Sequence, residues 1–333
     1  MTDFTRLTRR AVLGGIAATA MLMTSAAHAQ MSDPEPLPES VKLTIGAAKV
    51  GHLAPLVGVP ALLEPMNVEL EIVEFVRYAD ARTALATGSL DLATVGPADL
   101  PIALSQNITT MSALMGVGSS PKYVVARNGV ELNSWEDLKG KKVAIAPGSA
   151  VWFQFVATLT ENDVPYNEIE AVNIQGGGSN FNQALDRGDV DAIITWEPFE
   201  STPVVEGYGY WATDLDYSTS DSVGAELGMI AASNDALDTK TEAIKRFIWA
   251  YVKEQERLSG DKAAFSEAIA SWTGISADIS DRIADSIELG AVLSLEQLQK
   301  QAKTFNELGV IQADVSDQIA DYYRGDLVDE VVR

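Results

Sequence analysis

The amino-acid sequence predicts an α/β protein of two successive units, each a mostly parallel sheet with helices on both faces, followed by a helical C-terminal part. The first observation is a β-α-β-α-β order of apolar segments that begins at Val41. The second is a restart of that order at Tyr123, and the third is a change to helical periodicity from Asp235 onward. A length of 333 residues fits two domains.

A polar segment precedes the first unit. Residues 30–40 contain three prolines, which predicts a flexible leader. The predicted strands of the first unit are 41–47, 68–75 and 90–95. Its predicted helices are 53–64, 79–87 and 98–105. This alternation requires crossover helices and therefore a mostly parallel sheet.

The second unit repeats the topology without repeating the sequence. Its predicted strands are 123–127, 142–146, 171–174 and 192–195. A helix start is predicted at Ser134, and longer helices over 151–162 and 180–187. In the C-terminal part, Thr241–Ser259 has an apolar face at helical spacing. Ser294 and Gln297 resemble a capping box for a helix that ends near Leu308.

Composition argues against several classes of function. A formal net charge of −23 argues against nucleic acid and anionic lipid as partners, since phosphate neutralisation requires clustered Lys and Arg. The chain has no cysteine and two histidines, of which His28 is expected to be removed by processing. One histidine and no cysteine are a poor basis for zinc binding or imidazole catalysis. We therefore expect no enzyme activity, no catalytic residue, no metal site and no cofactor.

Residues 1–29 are predicted to be a signal peptide. Its start is basic, with Arg6, Arg9 and Arg10. The apolar stretch that follows is rich in Gly and Ala and too short for a stable membrane span. Ala27-His28-Ala29 fits a cleavage site, so we expect a mature periplasmic chain that starts at Gln30. Residues 8–13 resemble a twin-arginine signal, with a Sec signal as the alternative.

Candidate ligand residues lie where strands meet helices. Ligands of open α/β sheets bind beyond the carboxyl ends of strands, where helix N-termini favour negative charge. The candidates at two such turns are Gly96, Pro97, Ala98, Asp99, Gly148, Ser149 and Ala150. A third turn, 176–179, is also rich in glycine. Facing pairs of these turns would suit an oxyanion, and ordinary strand-to-helix turns are the alternative.

Four further side chains are candidates. Trp196 and Glu197 follow a strand directly and offer an apolar wall and a carboxylate, or else a packed turn before Pro198. Trp152 comes just after Ser149 and is expected to line or cover a cleft. Glu226 lies in an apolar segment, so its partner is either a ligand ammonium or an internal Lys or Arg.

Three segments carry a resemblance to a known family. They are 84–91 leading to Gly96-Pro97, 137–144 leading to Gly148-Ser149, and 184–192 closing on Trp196-Glu197-Pro198-Phe199. In this order and spacing the chain resembles the NMT1/THI5-like periplasmic binding proteins for aliphatic sulfonates, taurine and nitrate, which include thiamine-precursor binders. A pyrimidine synthase branch of the family uses a cysteine-rich motif that this chain lacks.

The resemblance implies a type II periplasmic binding protein fold, with the ligand between two lobes. The implied lobes are 41–127 with 224–333, and 128–223, and the implied crossings lie near 127–134 and 221–224. Family ligand contacts correspond to the turns at 96–98 and 148–150 and to Trp196. The turn 49–53 lacks the aromatic residue common in sulfonate binders. Asp99 is charged where many relatives are not, which with Glu226 suggests a ligand that also carries an amine.

The function that the resemblance implies is the solute-binding component of an ABC importer. The expected solute is taurine, an alkanesulfonate or 2-aminoethylphosphonate. The expected partners are that solute and a transmembrane permease with a separate ATPase, without nucleic acid or membrane insertion, and the chain is expected to be a monomer. The alternatives are nitrate or bicarbonate, an aromatic acid, a thiamine pyrimidine precursor, or a role as a periplasmic sensor subunit.

Overall fold

The computed structural model describes residues 31–220 and 222–332. The predicted signal peptide, its cleavage site and Gln30 lie outside the described residues. No helix in the described part of the chain combines the length and the apolar composition needed to cross a membrane.

Ten strands form two sheets of five. The strands are β1 Val41–Ala48, β2 Val68–Phe75, β3 Leu92–Val95, β4 Met111–Gly116, β5 Tyr123–Arg127, β6 Lys142–Ile145, β7 Glu170–Asn173, β8 Ala192–Ile193, β9 Gly209–Asp216 and β10 Met229–Ser233. The first sheet has the order β2-β1-β3-β10-β4 and the second the order β7-β6-β8-β5-β9. β1 pairs in parallel with β2 and β3, and β6 pairs in parallel with β7 and β8, whereas β10 and β5 pair antiparallel with both of their neighbours.

Twelve α-helices of the described residues surround the sheets. They are α1 Val59–Leu63, α2 Tyr78–Ala86, α3 Asp99–Ser105, α4 Ala150–Glu161, α5 Gly178–Asp186, α6 Thr202–Val205, α7 Asn234–Thr239, α8 Thr241–Ser259, α9 Lys262–Thr273, α10 Ala277–Ser286, α11 Leu295–Glu307 and α12 Gly325–Val332. We call the first sheet with α1–α3 and α7–α12 the first lobe, and the second sheet with α4–α6 the second lobe.

The amino-acid pattern explains the interior strands of the first lobe. Every residue of β3, β4 and β10 is buried, because helices cover both faces of this sheet. The predicted helix Thr241–Ser259 is α8, and its apolar face packs into the first-lobe core through side chains such as Phe247 and Ile248. Ser294 caps α11 as predicted, since its hydroxyl accepts the amide N–H of Gln297 at 3.0 Å.

The strand Tyr123–Arg127 belongs to a different lobe from the one predicted. It is β5, and it pairs with β8 and β9 in the second sheet. The chain therefore passes between the lobes at 117–122, not near 127–134 as the sequence suggested. The return crossing lies between Thr219 and β10, which includes the described part, 222–224, of the predicted region. The lobe boundary drawn at Arg127 is corrected to the end of the first crossing.

The segment before β1 is packed against the first lobe. Residues 31–40 contain no helix or strand, yet Met31 and Leu37 are buried in the core. The guanidinium of Arg246 donates to the carbonyl oxygen of Glu35 from two nitrogens, at 2.9 and 2.5 Å. Asn67 donates to the carbonyl oxygen of Leu37 at 2.6 Å. The segment is therefore not the flexible leader that the prolines suggested. Its two buried apolar side chains and its hydrogen bonds to the first lobe anchor it.

The two crossings run side by side with a third segment. The amide of Ser120 donates to the carbonyl of Ala225 at 3.1 Å, and Leu227 donates to Gly118 at 3.0 Å. On the other side, Ser119 and Glu288 exchange hydrogen bonds at 2.8 and 2.9 Å. We call the segments 116–120, 225–228 and 288–291 the crossover ribbon. Through its third segment, 288–291, the C-terminal half of the chain is hydrogen-bonded to the connection between the lobes.

Candidate functional site

A cavity of about 280 Å³ lies between the two lobes and the crossings. The first lobe contributes residues from three turns near the carboxyl ends of its strands, and the second lobe contributes the turns after β6 and β8. Its lining residues are Ala48, Val50, His52, Val76, Arg77, Tyr78, Ala79, Gly96, Pro97, Lys122, Ala146, Pro147, Gly148, Ser149, Ala150, Val151, Gln154, Thr195, Trp196, Glu200, Tyr217 and Leu227. This is the location that open α/β sheets give to ligands.

The lobes touch each other beside the cavity. A Cβ placed on Gly96 of the first lobe would lie 2.5 Å from the Cβ of Ala150 of the second lobe. The rings of Phe153 in α4 and Phe305 in α11 have centroids 5.3 Å apart. The guanidinium of Arg282 lies over the ring of Trp211, 5.0 Å from its centroid. The structure therefore represents a closed arrangement of the two lobes.

Two helices begin at the cavity. The first residues of α4 line it, and Ser149 caps this helix by accepting the amide of Trp152 at 3.2 Å. The first residues of α2, Tyr78 and Ala79, line the opposite side. Amide N–H groups in the first turn of a helix lack helical partners, and the helix dipole adds positive potential there. Both helix starts therefore favour a negatively charged group in the cavity.

Lys122 is the lysine of the cavity, and it comes from the end of the first crossing. Its ammonium donates to the carbonyl oxygens of Gly224 and Glu226 at 2.9 and 2.8 Å. An ammonium has three N–H donors, and no hydrogen bond uses the third among the described residues. Burial lowers the pKa of Lys122 to about 8, although Glu226, Glu200 and Asp216 act in the opposite direction. The residue is thus a buried cation with one donor available to a ligand.

His52 and Tyr78 form a buried polar pair on the first-lobe side. Nε2 of His52 and the hydroxyl of Tyr78 are 2.5 Å apart. Burial, and secondarily the charge of Lys122, lowers the pKa of His52 to about 3. His52 is therefore neutral at ordinary pH. Its Nδ1 is buried without a hydrogen-bond partner among the described residues, which leaves a polar atom that a ligand could satisfy.

A pair of carboxyl groups, Glu197 and Glu200, follows β8. Glu197 is buried and accepts both the amide and the hydroxyl of Ser201, at 2.9 and 2.6 Å. Burial raises its pKa to about 7. Burial also raises the pKa of Glu200 well above its usual value, and the nearby charge of Glu197 adds to this. Of the two, Glu200 lines the cavity.

Six of the sequence candidates line the cavity. They are Gly96, Pro97, Gly148, Ser149, Ala150 and Trp196. The structure thus brings together the turn after β3, the start of α4 and the turn after β8, three regions far apart in the sequence. The glycine-rich turn 176–179 does not reach the cavity.

The other five candidates lie outside the cavity lining. Ala98 is fully buried beneath the turn after β3. Trp152 points away and donates from Nε1 to the hydroxyl of Tyr166 at 3.1 Å. Both carboxyl oxygens of Glu197 accept hydrogen bonds from Ser201. Glu226 is folded against the backbone of Gly224, where a Cβ would lie 2.4 Å from its Oε2.

Asp99, the fifth of these, has a structural role. One carboxylate oxygen pairs with the guanidinium of Arg82, and the other accepts the amide of Gly96 at 2.7 Å. Burial raises the pKa of Asp99, while Arg82 and the Gly96 amide oppose that change. Both oxygens are used within the first lobe, so Asp99 shapes the turn that lines the cavity and does not itself reach it.

Sequence reasoning missed the charged residues of the cavity. Lys122 lies in a crossing that the sequence placed elsewhere, and Glu200 lies one residue beyond the motif that drew attention to Trp196. His52, Tyr78 and Arg77 belong to turns whose direction only the packed structure reveals. The single available signal for Lys122 was a charged residue at the entry of an apolar strand. Among the described residues, no group of three or more His, Asp or Glu side chains is arranged to bind a metal ion.

Fold and cavity together define a protein of the two-lobed periplasmic binding protein fold, with a cavity between the lobes. Residues 64–256, more than half of the chain, match the profile described as NMT1/THI5 like, and the chain belongs to this family. The taurine-binding periplasmic protein of Escherichia coli (strain K12) is 26% identical over 179 residues, which is 52% of each chain. The chain spans about half the length of the curated relatives that it matches.

Solved structures share the fold over most of the chain. The alkanesulfonate-binding protein SsuA from Xanthomonas axonopodis pv. citri, bound to MOPS, has a TM-score of 0.72 at 19% identity, with 86% of this chain and 99% of that chain covered. The periplasmic nitrate-binding protein NrtA from Synechocystis PCC 6803 has a TM-score of 0.73 at 16% identity, with coverages of 90% and 89%. The predicted periplasmic binding protein fold and the predicted family are confirmed.

Proposed function

We propose that this chain is the periplasmic solute-binding component of an ABC importer. The proposed solute is a small organic oxyanion, such as taurine, an alkanesulfonate or 2-aminoethylphosphonate. The observation that carries the proposal is the meeting of the Lys122 ammonium with the N-termini of α2 and α4 at one closed cavity. A buried cation with an unused donor, between two helix starts, favours a buried anion.

The cavity walls support an organic solute over nitrate or bicarbonate. Trp196, Tyr78 and Tyr217 line a space of about 280 Å³, together with aliphatic residues such as Val50 and Leu227. Such walls favour an apolar body attached to the anionic group, because burial of apolar surface adds to the free energy of binding. The same aromatic walls keep an aromatic acid as the second candidate.

The closed arrangement supports a capture mechanism. Solute bound to residues of both lobes favours the form in which the lobes meet, since its contacts are complete only there. The closed form would then dock on a transmembrane permease that a separate ATPase drives. The names of the relatives support this assignment for the family, and for this chain it is part of the proposal.

Calorimetry on the refolded, ligand-stripped mature protein tests the proposal. The panel contains taurine, ethanesulfonate, 2-aminoethylphosphonate, nitrate, benzoate and a thiamine pyrimidine. We expect an organic sulfonate or phosphonate to bind most tightly, and Lys122→Gln to weaken that binding by at least tenfold, since a charge-assisted hydrogen bond contributes about 1.5–3 kcal/mol. Lys303→Gln is the control, because Lys303 is an exposed lysine of α11 that does not line the cavity.

Other outcomes would redirect the assignment. Tight binding of nitrate alone would indicate an inorganic-anion binder, and benzoate alone an aromatic-acid binder. Binding of the pyrimidine with no response to any anion would overturn the role of Lys122 and the oxyanion assignment together.

A further inference from the structure

Glu200 is the carboxyl group that faces the cavity. It is 6% exposed, and it is the acidic side chain among the cavity-lining residues that the structure describes. Its Oε1 accepts the amide N–H of Tyr123 at 2.5 Å. Its Oε2 has no hydrogen-bond partner in the described part of the chain. A carboxyl oxygen without a protein partner in the wall of a ligand cavity is available to a donor group of the ligand.

The neighbouring carboxyl groups do not line the cavity. Both oxygens of Glu197 accept hydrogen bonds from Ser201. Those of Asp99 are used by Arg82 and by the amide of Gly96. Oε2 of Glu226 is buried without a hydrogen-bond partner among the described residues, but Glu226 lies against Gly224 and does not line the cavity. The carboxyl groups that the sequence suggested for an amine are thus directed elsewhere.

The local charge balance disfavours a ligand that is purely anionic. Lys122 is surrounded by Glu200, Glu226 and Asp216, whose charges all act on it. A simple anion would pair with Lys122 and would leave Oε2 of Glu200 without a partner. A ligand that also brings a cation would stabilise the ionised form of Glu200, whose pKa burial raises in the absence of such a partner.

We propose that Glu200 is a specificity-determining residue that pairs with an ammonium group of the solute. Lys122 and the starts of α2 and α4 would bind the oxyanion of the same molecule. The cavity would then select short dipolar solutes, such as an aminosulfonate or aminophosphonate, over plain anions of the same size. This inference rests on the proposed function, and it adds the chemical class of the solute.

Taurine and ethanesulfonate make the sharpest comparison, because they differ by the ammonium group. We expect the wild-type mature protein to bind taurine about tenfold or more tightly than ethanesulfonate, as charge-assisted hydrogen bonds allow. In Glu200→Gln, we expect the affinity for taurine to fall by about tenfold, while the affinity for ethanesulfonate stays the same or rises. The Gln side chain retains an oxygen that can accept the Tyr123 amide, so the local fold is preserved.

Two variants separate this role from a structural one. Glu254→Gln changes a carboxyl group of α8 that is buried and paired with Arg257, outside the cavity lining. It should leave the ratio of taurine to ethanesulfonate affinity unchanged. Glu200→Asp keeps the charge and should retain part of the preference for taurine. Thermal unfolding of each variant shows whether it is folded.

The outcomes distinguish this inference from the proposed function. Equal affinities of wild-type protein for taurine and ethanesulfonate would overturn the role of Glu200 and leave the oxyanion assignment intact. An unchanged ratio in Glu200→Gln would do the same. Absence of binding by every sulfonate and phosphonate would overturn both.

Discussion

Lys122 is the cavity residue on which three carboxyl groups act. Its ammonium is buried among Glu200, Glu226 and Asp216, and the neutral ring of His52 lies on the first-lobe side. The pKa of about 8 means that Lys122 is mostly protonated at pH 7 and mostly neutral at pH 9. A bound anion stabilises the protonated form and raises this pKa. Affinity for an anion is therefore coupled to pH through this one residue.

The sign of that coupling gives a prediction at the scale of the residue. We expect affinity for the oxyanion to be nearly constant below pH 7, and to fall as pH rises above 8 by up to tenfold per pH unit. Above the pKa of Lys122 in the complex, the affinity levels off. Calorimetry in buffers from pH 6 to 10 measures this profile, with Lys122→Gln as the control that should lack the fall. A wild-type profile that stays flat to pH 10 would contradict it.

At the scale of the element, the turn from β3 to α3 depends on Asp99. The carboxylate is 1% exposed and accepts from both Arg82 in α2 and the amide of Gly96. It thus connects two helices to the turn that lines the cavity. Removal of its charge would leave the guanidinium of Arg82, whose side chain is 13% exposed, without its partner.

We expect Asp99→Asn to lower the free energy of unfolding by about 3 kcal/mol, because a buried cation loses its counter-ion. Asp80→Asn in α2, the helix that carries Arg82, should change it by less than about 1 kcal/mol, since the Asp80–Arg77 pair is exposed. Urea unfolding of both variants measures the difference. Equal changes in the free energy of unfolding of the two variants would show that the Asp99–Arg82 pair contributes no more to stability than an exposed pair.

The elements of the fold differed in how well the sequence predicted them. Helix Thr241–Ser259 and strands Val68–Phe75 and Tyr123–Arg127 have the predicted bounds, because apolar periodicity and turn residues mark both ends. Strands β4, β9 and β10 were not predicted. β4 and β10 are fully buried runs that lack alternation, and β9 is an antiparallel strand with many polar residues. Their partners come from distant parts of the chain, so local pattern carries little information about them.

The sequence predicted the turns that form the candidate site better than it predicted the charged residues of that site. Strand ends and helix starts identified Gly96, Ser149 and Trp196, because ligand sites in α/β folds follow from topology. Lys122 and Glu200 were not predicted, because their place in the cavity depends on how the crossings and the turn after β8 pack. A sequence pattern gives their spacing along the chain, whereas the cavity depends on their direction in space.

At the scale of the whole molecule, closure depends on Gly96. A methyl group there would meet the Cβ of Ala150 across the cleft at 2.5 Å. We expect Gly96→Ala to weaken ligand binding by about tenfold, because the closed arrangement must absorb an overpacking cost of about 1–3 kcal/mol. Gly290→Ala is a matched control, since a Cβ at Gly290 would have no atom within 4 Å.

The measurement combines calorimetry with small-angle scattering of each variant in the presence of saturating ligand. Gly96→Ala should show a larger radius of gyration than the wild type, and Gly290→Ala the same one. If Gly96→Ala had the same affinity and the same radius of gyration as the wild type, the lobes would not meet at this point when ligand is bound.

The crossover ribbon has a mechanical consequence. Its central segment is hydrogen-bonded on both edges, to residues 225–228 and to 288–291. A strip of three bonded segments bends easily across its width, whereas shearing it would break the bonds along both edges. We therefore expect the relative motion of the lobes to be mainly a bend of this strip, comparable to the bending of a leaf spring. The C-terminal residues supply one layer of that spring, although they lie far along the chain from either crossing.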